Sequence, residues 1–356
     1  MSTALTAPST TFRAQDIRPA TEPPEYRGVT RDGIRLLVAD GNGITHTAFT
    51  DLPAHLRSGD VLVVNDSAAI PAEVDGYRQA HRPVVVHLAT NLGDGTWVAE
   101  LRSAPAAAAP VLDGEPGEVV QLPGRARMRL LTPYPEPGSG PTRSGNRLWR
   151  VQVQGTRALL AYLNRYGRPI AYGYLSRRFP LTDYQTVFGV RPGSAEMPSA
   201  GRPFTADLVT RLRAAGVAVV PITLHTGVSS PDAGEAPQAE WFEVPEPTAA
   251  RVRTARAAGG RVIAVGTTVT RALESAATRD GSIAATSGWT TLVIEPSRGV
   301  RVVDGLITGW HDPQASHLLL VEAVAGPAQT QRAYRAAIVH RYRWHEFGDA
   351  GLLLRR

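Results

Sequence analysis

Four side chains of this 356-residue sequence have the types that acid–base chemistry needs, and each lies in a polar stretch next to an apolar one. Asp66 lies just after the apolar run "DVLVV", and His225 ends "VVPITLH". Glu196 is the one acid in the small-residue loop "GSAEMPSAGRPFT", and Asp312 follows a histidine in "GWHDP". A carboxylate or imidazole in a suitable environment exchanges protons near neutral pH. Glu196, His225, Asp66 and Asp312 are therefore the catalytic candidates, with the base and the acid left unassigned among them.

Three of the four candidates also have a structural interpretation. The tripeptide "NDS" around Asp66 is typical of an Asx-turn. Residue type alone favours an ordinary loop acid for Glu196, and His225 is equally compatible with a packed core histidine. Open α/β sheets, however, tend to bind ligands at the carboxyl ends of their strands. The residues alone leave both interpretations open.

The stretch "GGRVIAVGTTVTRALESAA", residues 259–277, predicts a buried strand, a tight polar turn and a helix. The turn Gly266-Thr267-Thr268 would direct backbone N–H groups and the positive end of the helix dipole toward a polar or anionic ligand. In the alternative interpretation, Thr267 or Thr268 only caps the helix. The turn matches neither G-x-G-x-x-G nor a P-loop, so it indicates no nucleotide class.

Two other loops have residues suited to ligand binding. One holds a polar tripeptide in "DYQTVFG" that could stack on a planar base and form hydrogen bonds with it. The other holds small residues that let the backbone approach a ligand closely. The two sets are Tyr184, Gln185 and Thr186, and Ser199, Ala200 and Gly201.

The composition excludes several chemistries. The chain has no cysteine, which removes disulfides, thiolate nucleophiles and Cys-based metal sites. All 38 basic residues are arginine, which removes Schiff-base and Walker-type lysine mechanisms. The net charge of +6 suits RNA or phosphate recognition, although an arginine-rich coding bias explains it equally well.

The histidines and the apolar runs set further expectations. The nine histidines show no metal-ligand spacing, so we expect no metal, and we place His340 and His345 on the surface. The sequence has no apolar run of membrane-spanning length and no apolar leader. We therefore expect a cytoplasmic protein that makes no contact with a membrane.

The candidates must be positioned by an α/β fold. From residue 156 onward, helix patterns alternate with β-branched strands, which predicts parallel βαβ units. Before that point, short strands separated by Gly, Pro and Asp turns predict a small all-β barrel. The expected organisation is a flexible N-terminal segment over 1–26, a larger α/β catalytic domain over 27–71 and 156–356, and an inserted β-barrel domain over 72–155. The helix pattern "QTQRAYRAAIVHRY" is expected to close the chain.

Seven stretches, in their order, resemble one family, the S-adenosylmethionine:tRNA ribosyltransferase-isomerases of the queuosine pathway. They are "NDSAAIPA", "DYQTVFG", "GSAEMPSAGRPFT", "ITLHTG", "GGRVIAVGTTVTRALESAA", "VVDGLITGWHDP" and "YRWHEFGDAGLLL". The resemblance runs from about Arg31 to Leu354. It implies a larger α/β domain carrying a small β-barrel, in agreement with the patterns above. It also implies that the 266–268 turn and Arg271 belong to the cofactor or substrate site.

The resemblance implies a reaction as well. Such enzymes bind S-adenosylmethionine and transfer its ribosyl part to the aminomethyl group of a modified deazaguanine in tRNA, releasing adenine and methionine and leaving an epoxycyclopentanediol. The positive sulfonium acidifies the C5′ hydrogens, so a modest base can remove one, and a general acid can help adenine depart. This route needs no metal, thiol or lysine.

Several positions depart from the family's pattern. Ala68 stands where the family usually has arginine, Arg202 and Pro203 where it has leucine and histidine, and Glu196 where it has a small residue. These departures predict a diverged member that still uses S-adenosylmethionine, with either a tRNA nucleobase or an unidentified small molecule as acceptor. The alternatives are the ordinary tRNA reaction that makes epoxyqueuosine, and a non-catalytic, arginine-rich RNA-binding relative.

Overall fold

A computed structural model of the chain describes residues 6–137, 145–228, 237–313 and 315–355. Its strands are β1 (Arg35–Asp40), β2 (Gly43–Ala48), β3 (Val61–Asn65), β4 (Ser67–Ala69), β5 (Glu73–Tyr77), β6 (Pro83–Asn91), β7 (Trp97–Ser103), β8 (Val119–Gln121), β9 (Arg127–Tyr134), β10 (Leu148–Gln154), β11 (Arg191–Ser194), β12 (Ala218–Leu224), β13 (Glu240–Val244), β14 (Val262–Val265), β15 (Thr286–Thr290), β16 (Gly305–Thr308) and β17 (Ala350–Leu354). Its α-helices are α1 (Leu159–Tyr166), α2 (Ala206–Ala214), α3 (Glu246–Ala257), α4 (Thr267–Ser275), α5 (Ser316–Ala325) and α6 (Pro327–Val339).

The α/β part is built on a nine-stranded mixed sheet with the order β15-β13-β12-β3-β14-β16-β17-β1-β2. The four strands β12, β3, β14 and β16 pair in parallel. All residues of β3, β14 and β16 and the last three of β12 are buried, because α3 to α6 cover one face and α2 with the short 3-10 helix Phe49–His55 covers the other. At the start of α2, the hydroxyl of Thr205 accepts a hydrogen bond of 3.1 Å from the N–H of Leu208. Thr205 is therefore the N-cap of α2 and satisfies one of the free N–H groups of its first turn.

The inserted part is a closed six-stranded antiparallel barrel with the order β10-β7-β6-β5-β8-β9. Its interior is filled by alternate side chains of these strands, among them Val86, Leu101, Met128 and Trp149. The predicted fold class, an α/β domain with parallel units and an all-β barrel insertion, is thereby confirmed. Helix α1 packs its buried face on the barrel's core rather than on the large sheet.

The N-terminal segment differs from the expectation of flexibility. The backbone N–H and the hydroxyl of Thr10 both donate to the buried carboxylate of Glu322, and the donor–acceptor distance is 2.6 Å in each case. Phe12 stacks on Tyr334 with ring centroids 5.3 Å apart. The segment from residue 6 onward is therefore packed against the α/β part through contacts some 300 positions away in the chain; residues 1–5 lie outside the described residues.

The C-terminal end also differs from the expectation of a final helix. After α6, strand β17 enters the middle of the sheet, where it pairs parallel to β1 and antiparallel to β16. A short apolar run such as "AGLLL" does not by itself indicate helix or strand. Here the run forms a strand because it lies between β16 and β1 and its backbone forms hydrogen bonds with both.

Candidate active site

The carboxyl ends of β12, β3, β14 and β16 meet at one edge of the sheet, because these strands run parallel. His225 follows the end of β12, Asp66 follows β3, Gly266 follows β14, and Asp312 lies four residues beyond β16. The structure therefore brings three catalytic candidates and the Gly-Thr-Thr turn to a single edge. This is the edge at which open α/β sheets bind ligands.

His225 belongs to a hydrogen-bonded polar cluster at this edge. Its Nδ1 lies 2.7 Å from the hydroxyl of Ser67, which lies 2.6 Å from the hydroxyl of Ser194. Asp66 accepts a 2.5 Å hydrogen bond from the hydroxyl of Thr223. Burial lowers the pKa of His225, so its imidazole is neutral at pH 7 and available to accept or relay a proton.

Glu196 borders a stack of three rings, Tyr172, Tyr174 and His345, which we term the aromatic stack. The hydroxyl of Tyr172 donates to the Glu196 carboxylate. The centroids of Tyr172 and Tyr174 are 5.8 Å apart, and His345 stacks on Tyr174 at 4.3 Å. The hydroxyl of Tyr174 donates in turn to Glu346, and burial raises the pKa of Glu346 to about 7. Two carboxyl groups in unequal environments thus flank one set of aromatic faces.

The aromatic stack was missed by sequence reasoning. His345 was expected on the surface, but its side chain is only 17% exposed and lies against Tyr174. The pair of tyrosines in "AYGYL" and the acid that follows the histidine in "RWHEF" were the available signal. The pairing of these segments needs tertiary structure, because they are far apart in the chain.

Asp312 lies at the rim of this region. Its side chain is 58% exposed, and one of its carboxylate oxygens lies 3.8 Å from Nε2 of His345. The preceding His311 is turned inward, where Nε2 lies 2.9 Å from the hydroxyl of Thr308 and the ring stacks on His317 at 4.9 Å. Burial lowers the pKa of His311 well below its ordinary value and that of His317 to about 4. Both imidazoles are therefore neutral at physiological pH.

The Gly266 turn and the 199–201 loop contact each other. Gly266 has φ of 98°, a left-handed conformation that favours glycine, and a Cβ there would lie 3.3 Å from Cβ of Ala200. Gly266 is also the N-cap of α4, so the interpretation that Thr267 or Thr268 caps the helix is wrong. The structure thus brings together the two loops proposed to bind a ligand, and Ser199 and Ala200 line a cleft that His345 and Glu346 also line.

Arg271 forms an ion pair and hydrogen bonds with other residues of the chain. Its guanidinium pairs with the Glu240 carboxylate and donates to the carbonyl oxygens of Gln238 at 3.2 Å, Thr290 at 3.3 Å and Leu292 at 3.2 Å. It is buried, and it joins α4 to β13 and β15. The predicted role of Arg271 in ligand binding remains a prediction.

The tripeptide in "DYQTVFG" lies beneath the 199–201 loop. The side-chain amide of Gln185 donates to the carbonyl of Ala69 at 2.8 Å and accepts from its N–H at 3.1 Å. The ring of Tyr184 is buried against Phe347, with centroids 5.2 Å apart. A methyl carbon of Thr186 lies 3.4 Å from where a Cβ on Gly201 would be. These contacts support the loop; stacking of the tripeptide on a base remains a prediction.

The raised pKa of Glu346 predicts a pH-dependent stability. As pH rises, the unfolded carboxyl releases its proton near 4.5 and the folded one near 7. Wild type should therefore lose up to about 3 kcal/mol of unfolding free energy between those values, and Glu346→Gln should not. Urea denaturation at pH 5 and pH 8 measures the difference between the two proteins, and Glu246→Gln, at a side chain 61% exposed, is the control. Equal pH slopes in wild type and Glu346→Gln would contradict the prediction.

The fold and the site define a class of protein, an α/β protein with a β-barrel insertion and titratable side chains at the carboxyl edge of its sheet. Residues 11–353 match the family model described as "Queuosine biosynthesis protein". The chain is 38% identical to an S-adenosylmethionine:tRNA ribosyltransferase-isomerase of Thermus thermophilus, over 93% of this chain and 97% of the relative. It is also 38% identical to the protein of the same name from Moorella thermoacetica, over 91% of this chain and 94% of that one.

A solved structure agrees with these relatives. The crystal structure of an S-adenosylmethionine tRNA ribosyltransferase from Thermotoga maritima is similar with a TM-score of 0.53 and 26% identity, over 97% of this chain and 99% of that one. The chain therefore belongs to the queuosine biosynthesis protein family of ribosyltransferase-isomerase enzymes. This confirms the family expected from the seven stretches. Across the described residues, no helix combines the length and the apolar character that a bilayer crossing requires.

Proposed function

We propose that this protein is an S-adenosylmethionine-dependent ribosyltransferase-isomerase whose chemistry takes place at the carboxyl edge of the sheet. One observation carries the proposal: the segments of Glu196 and His225 are hydrogen-bonded side by side. The N–H of Ala195 donates to the carbonyl of Thr226 at 2.8 Å, and the hydroxyl of Thr226 donates to the carbonyl of Glu196 at 2.6 Å. The backbone segments that carry a carboxylate and a neutral imidazole are thus held next to each other.

The site suits a positively charged substrate. Aromatic faces and carboxylates both attract cations, and the aromatic stack is bordered by Glu196 and Glu346. S-adenosylmethionine supplies a sulfonium that acidifies its C5′ hydrogens. In our proposal Glu196 takes the proton, and Glu346, half protonated near pH 7, gives one to the departing adenine. His225 with Ser67 forms a second route for a proton.

The acceptor that we favour is a tRNA nucleobase. The names of the relatives at 38% identity support it, and the arginine-only basic charge of this chain suits RNA. A small-molecule acceptor is the second candidate, and one observation favours it. Arg202 is buried and donates to Glu25 at 3.1 Å and to the carbonyl of Asp183 at 2.8 Å, while Ala68 is uncharged and buried. The positions that depart from the family's pattern therefore present no exposed cation for phosphate.

The test is incubation of the purified protein with S-adenosylmethionine, with and without tRNA that carries the aminomethyl-deazaguanine. Mass spectrometry measures free adenine, methionine and the mass of the RNA. Adenine release together with a mass gain on the tRNA is the expected result, and unmodified tRNA is the control. Adenine release without a tRNA product would favour the small-molecule acceptor. If the protein neither binds nor turns over S-adenosylmethionine, the proposed function is overturned in favour of the non-catalytic RNA-binding relative.

A further inference from the structure

A second cleft lies where the barrel meets the α/β part, and we term it the interdomain cleft. It holds about 360 Å³ of space, part of it open to solvent. The barrel and α1 line one side, and β11, β13 and the residue that follows β12 line the other. Its principal lining residues are Thr90, Asn91, Trp97, Leu160, His225 and Trp241.

Thr90 lines this cleft and Gln238 lies next to it, and among the described residues the polar atoms of these two side chains lack hydrogen-bond partners. The hydroxyl of Thr90, a residue only 5% exposed, has no hydrogen-bond partner among the described residues, and neither do the amide oxygen and nitrogen of Gln238. Gly227 lies between them, since a Cβ there would be 3.1 Å from the Thr90 hydroxyl oxygen and 3.7 Å from the Gln238 amide oxygen. Buried polar groups are normally hydrogen-bonded, so these two are suited to the polar edge of a ligand.

The walls of the cleft are flat and largely apolar. The rings of Trp241 and His225 stack with centroids 5.5 Å apart and an interplanar angle of 23°. Trp97 and Leu160 form the facing side, and Leu160 is exposed although it is apolar. Gly193 allows the backbone to approach the imidazole closely, because a Cβ there would lie 2.5 Å from Nδ1 of His225. Flat apolar faces with a few polar groups at one edge suit a planar heteroaromatic ring.

We propose that the interdomain cleft binds a purine-sized heteroaromatic base between these walls, with its polar edge on Thr90 and Gln238. The inference rests on the proposed function, because His225 borders both this cleft and the carboxyl edge. Within that function the base has two sources, the adenine of S-adenosylmethionine and the base of the acceptor. Both share the ring chemistry that the cleft recognises.

The test uses Thr90→Val, a change of equal shape that removes only the hydroxyl. Titration calorimetry with adenosine and with guanosine should show one nucleoside bound by wild type and bound about tenfold more weakly by the variant, because one buried hydrogen bond is lost. The melting temperature should stay the same or rise, because an unpartnered hydroxyl is removed from the unliganded protein. Thr132→Val, at an exposed position on the barrel strand β9, is the matched control and should change neither quantity.

A second variant tests the space beside Thr90. Gly227→Ala adds a methyl group between Thr90 and Gln238 and should weaken the same nucleoside at least as much. Weakened adenosine binding, with S-adenosylmethionine affinity reduced in parallel, supports the cleft and identifies the base as the cofactor's adenine. Weakened guanosine binding alone supports the cleft and identifies the acceptor.

Unchanged nucleoside affinity in both variants, or no nucleoside binding by wild type, would overturn the inference. These results are separable from failure of the proposed function. Adenine release from S-adenosylmethionine by the same wild-type preparation tests that function directly and does not depend on the nucleoside titrations.

Discussion

Replacing Glu196 by glutamine is expected to lower S-adenosylmethionine-dependent adenine release by at least about a hundredfold, equivalent to about 2.7 kcal/mol of activation free energy. The substitution keeps an acceptor for the hydroxyl of Tyr172 but removes the group that takes the proton. The affinity for S-adenosylmethionine should change far less than the rate. Single-turnover measurement of adenine release, with affinity measured separately by calorimetry, distinguishes the two effects.

Two companion variants sharpen this prediction. Tyr172→Phe keeps the carboxylate and removes one hydrogen bond, so a decrease of about tenfold or less is expected. Glu115→Gln, at an exposed residue of the barrel part, should leave the rate unchanged. A Glu196→Gln rate within a few-fold of wild type would remove Glu196 as the base and shift the role to His225.

Arg271→Met is expected to lower the free energy of unfolding by about 3 to 5 kcal/mol. The change leaves the Glu240 carboxylate, whose side chain is only 13% exposed, without its cation, with a 3.2 Å hydrogen bond from the N–H of Gly227 still in place. Chemical denaturation measures the loss. The control is Arg253→Met, which breaks an exposed pair with Glu246 and should cost less than about 1 kcal/mol.

A double variant separates stability from ligand binding. Arg271→Met with Glu240→Met replaces the buried ion pair by apolar side chains of similar length and should recover most of the lost stability. If Arg271 also binds the ligand, as the family resemblance implies, the recovered protein should still bind S-adenosylmethionine poorly. Recovery of stability and affinity together would restrict Arg271 to a structural role. A single-variant loss below 1 kcal/mol would contradict the buried-pair argument itself.

Many of the residues at the carboxyl edge of the sheet could be predicted from local sequence patterns. Residues next to the ends of apolar strands, such as Asp66 and His225, must meet at one edge once the strands are parallel. The turn at Gly266 could likewise be recognised, because a strand, a glycine and a helix follow one another within "RVIAVGTTVTRALE". The contacts between side chains of the site were harder to predict. Glu346 and Tyr174 are 172 residues apart in the chain, and no periodicity links them.

The sequence by itself determined the family, the α/β class with its barrel insertion, and the candidates at the strand ends, because these depend on motifs and on periods of two or 3.6 residues. Only the tertiary structure decided that Arg271 faces Glu240, that His345 joins the aromatic stack, and that the last apolar run enters the sheet as β17. The physical reason is the same in each case. Burial and pairing depend on which distant segments pack together, and a side chain's partner sets both its charge state and its role.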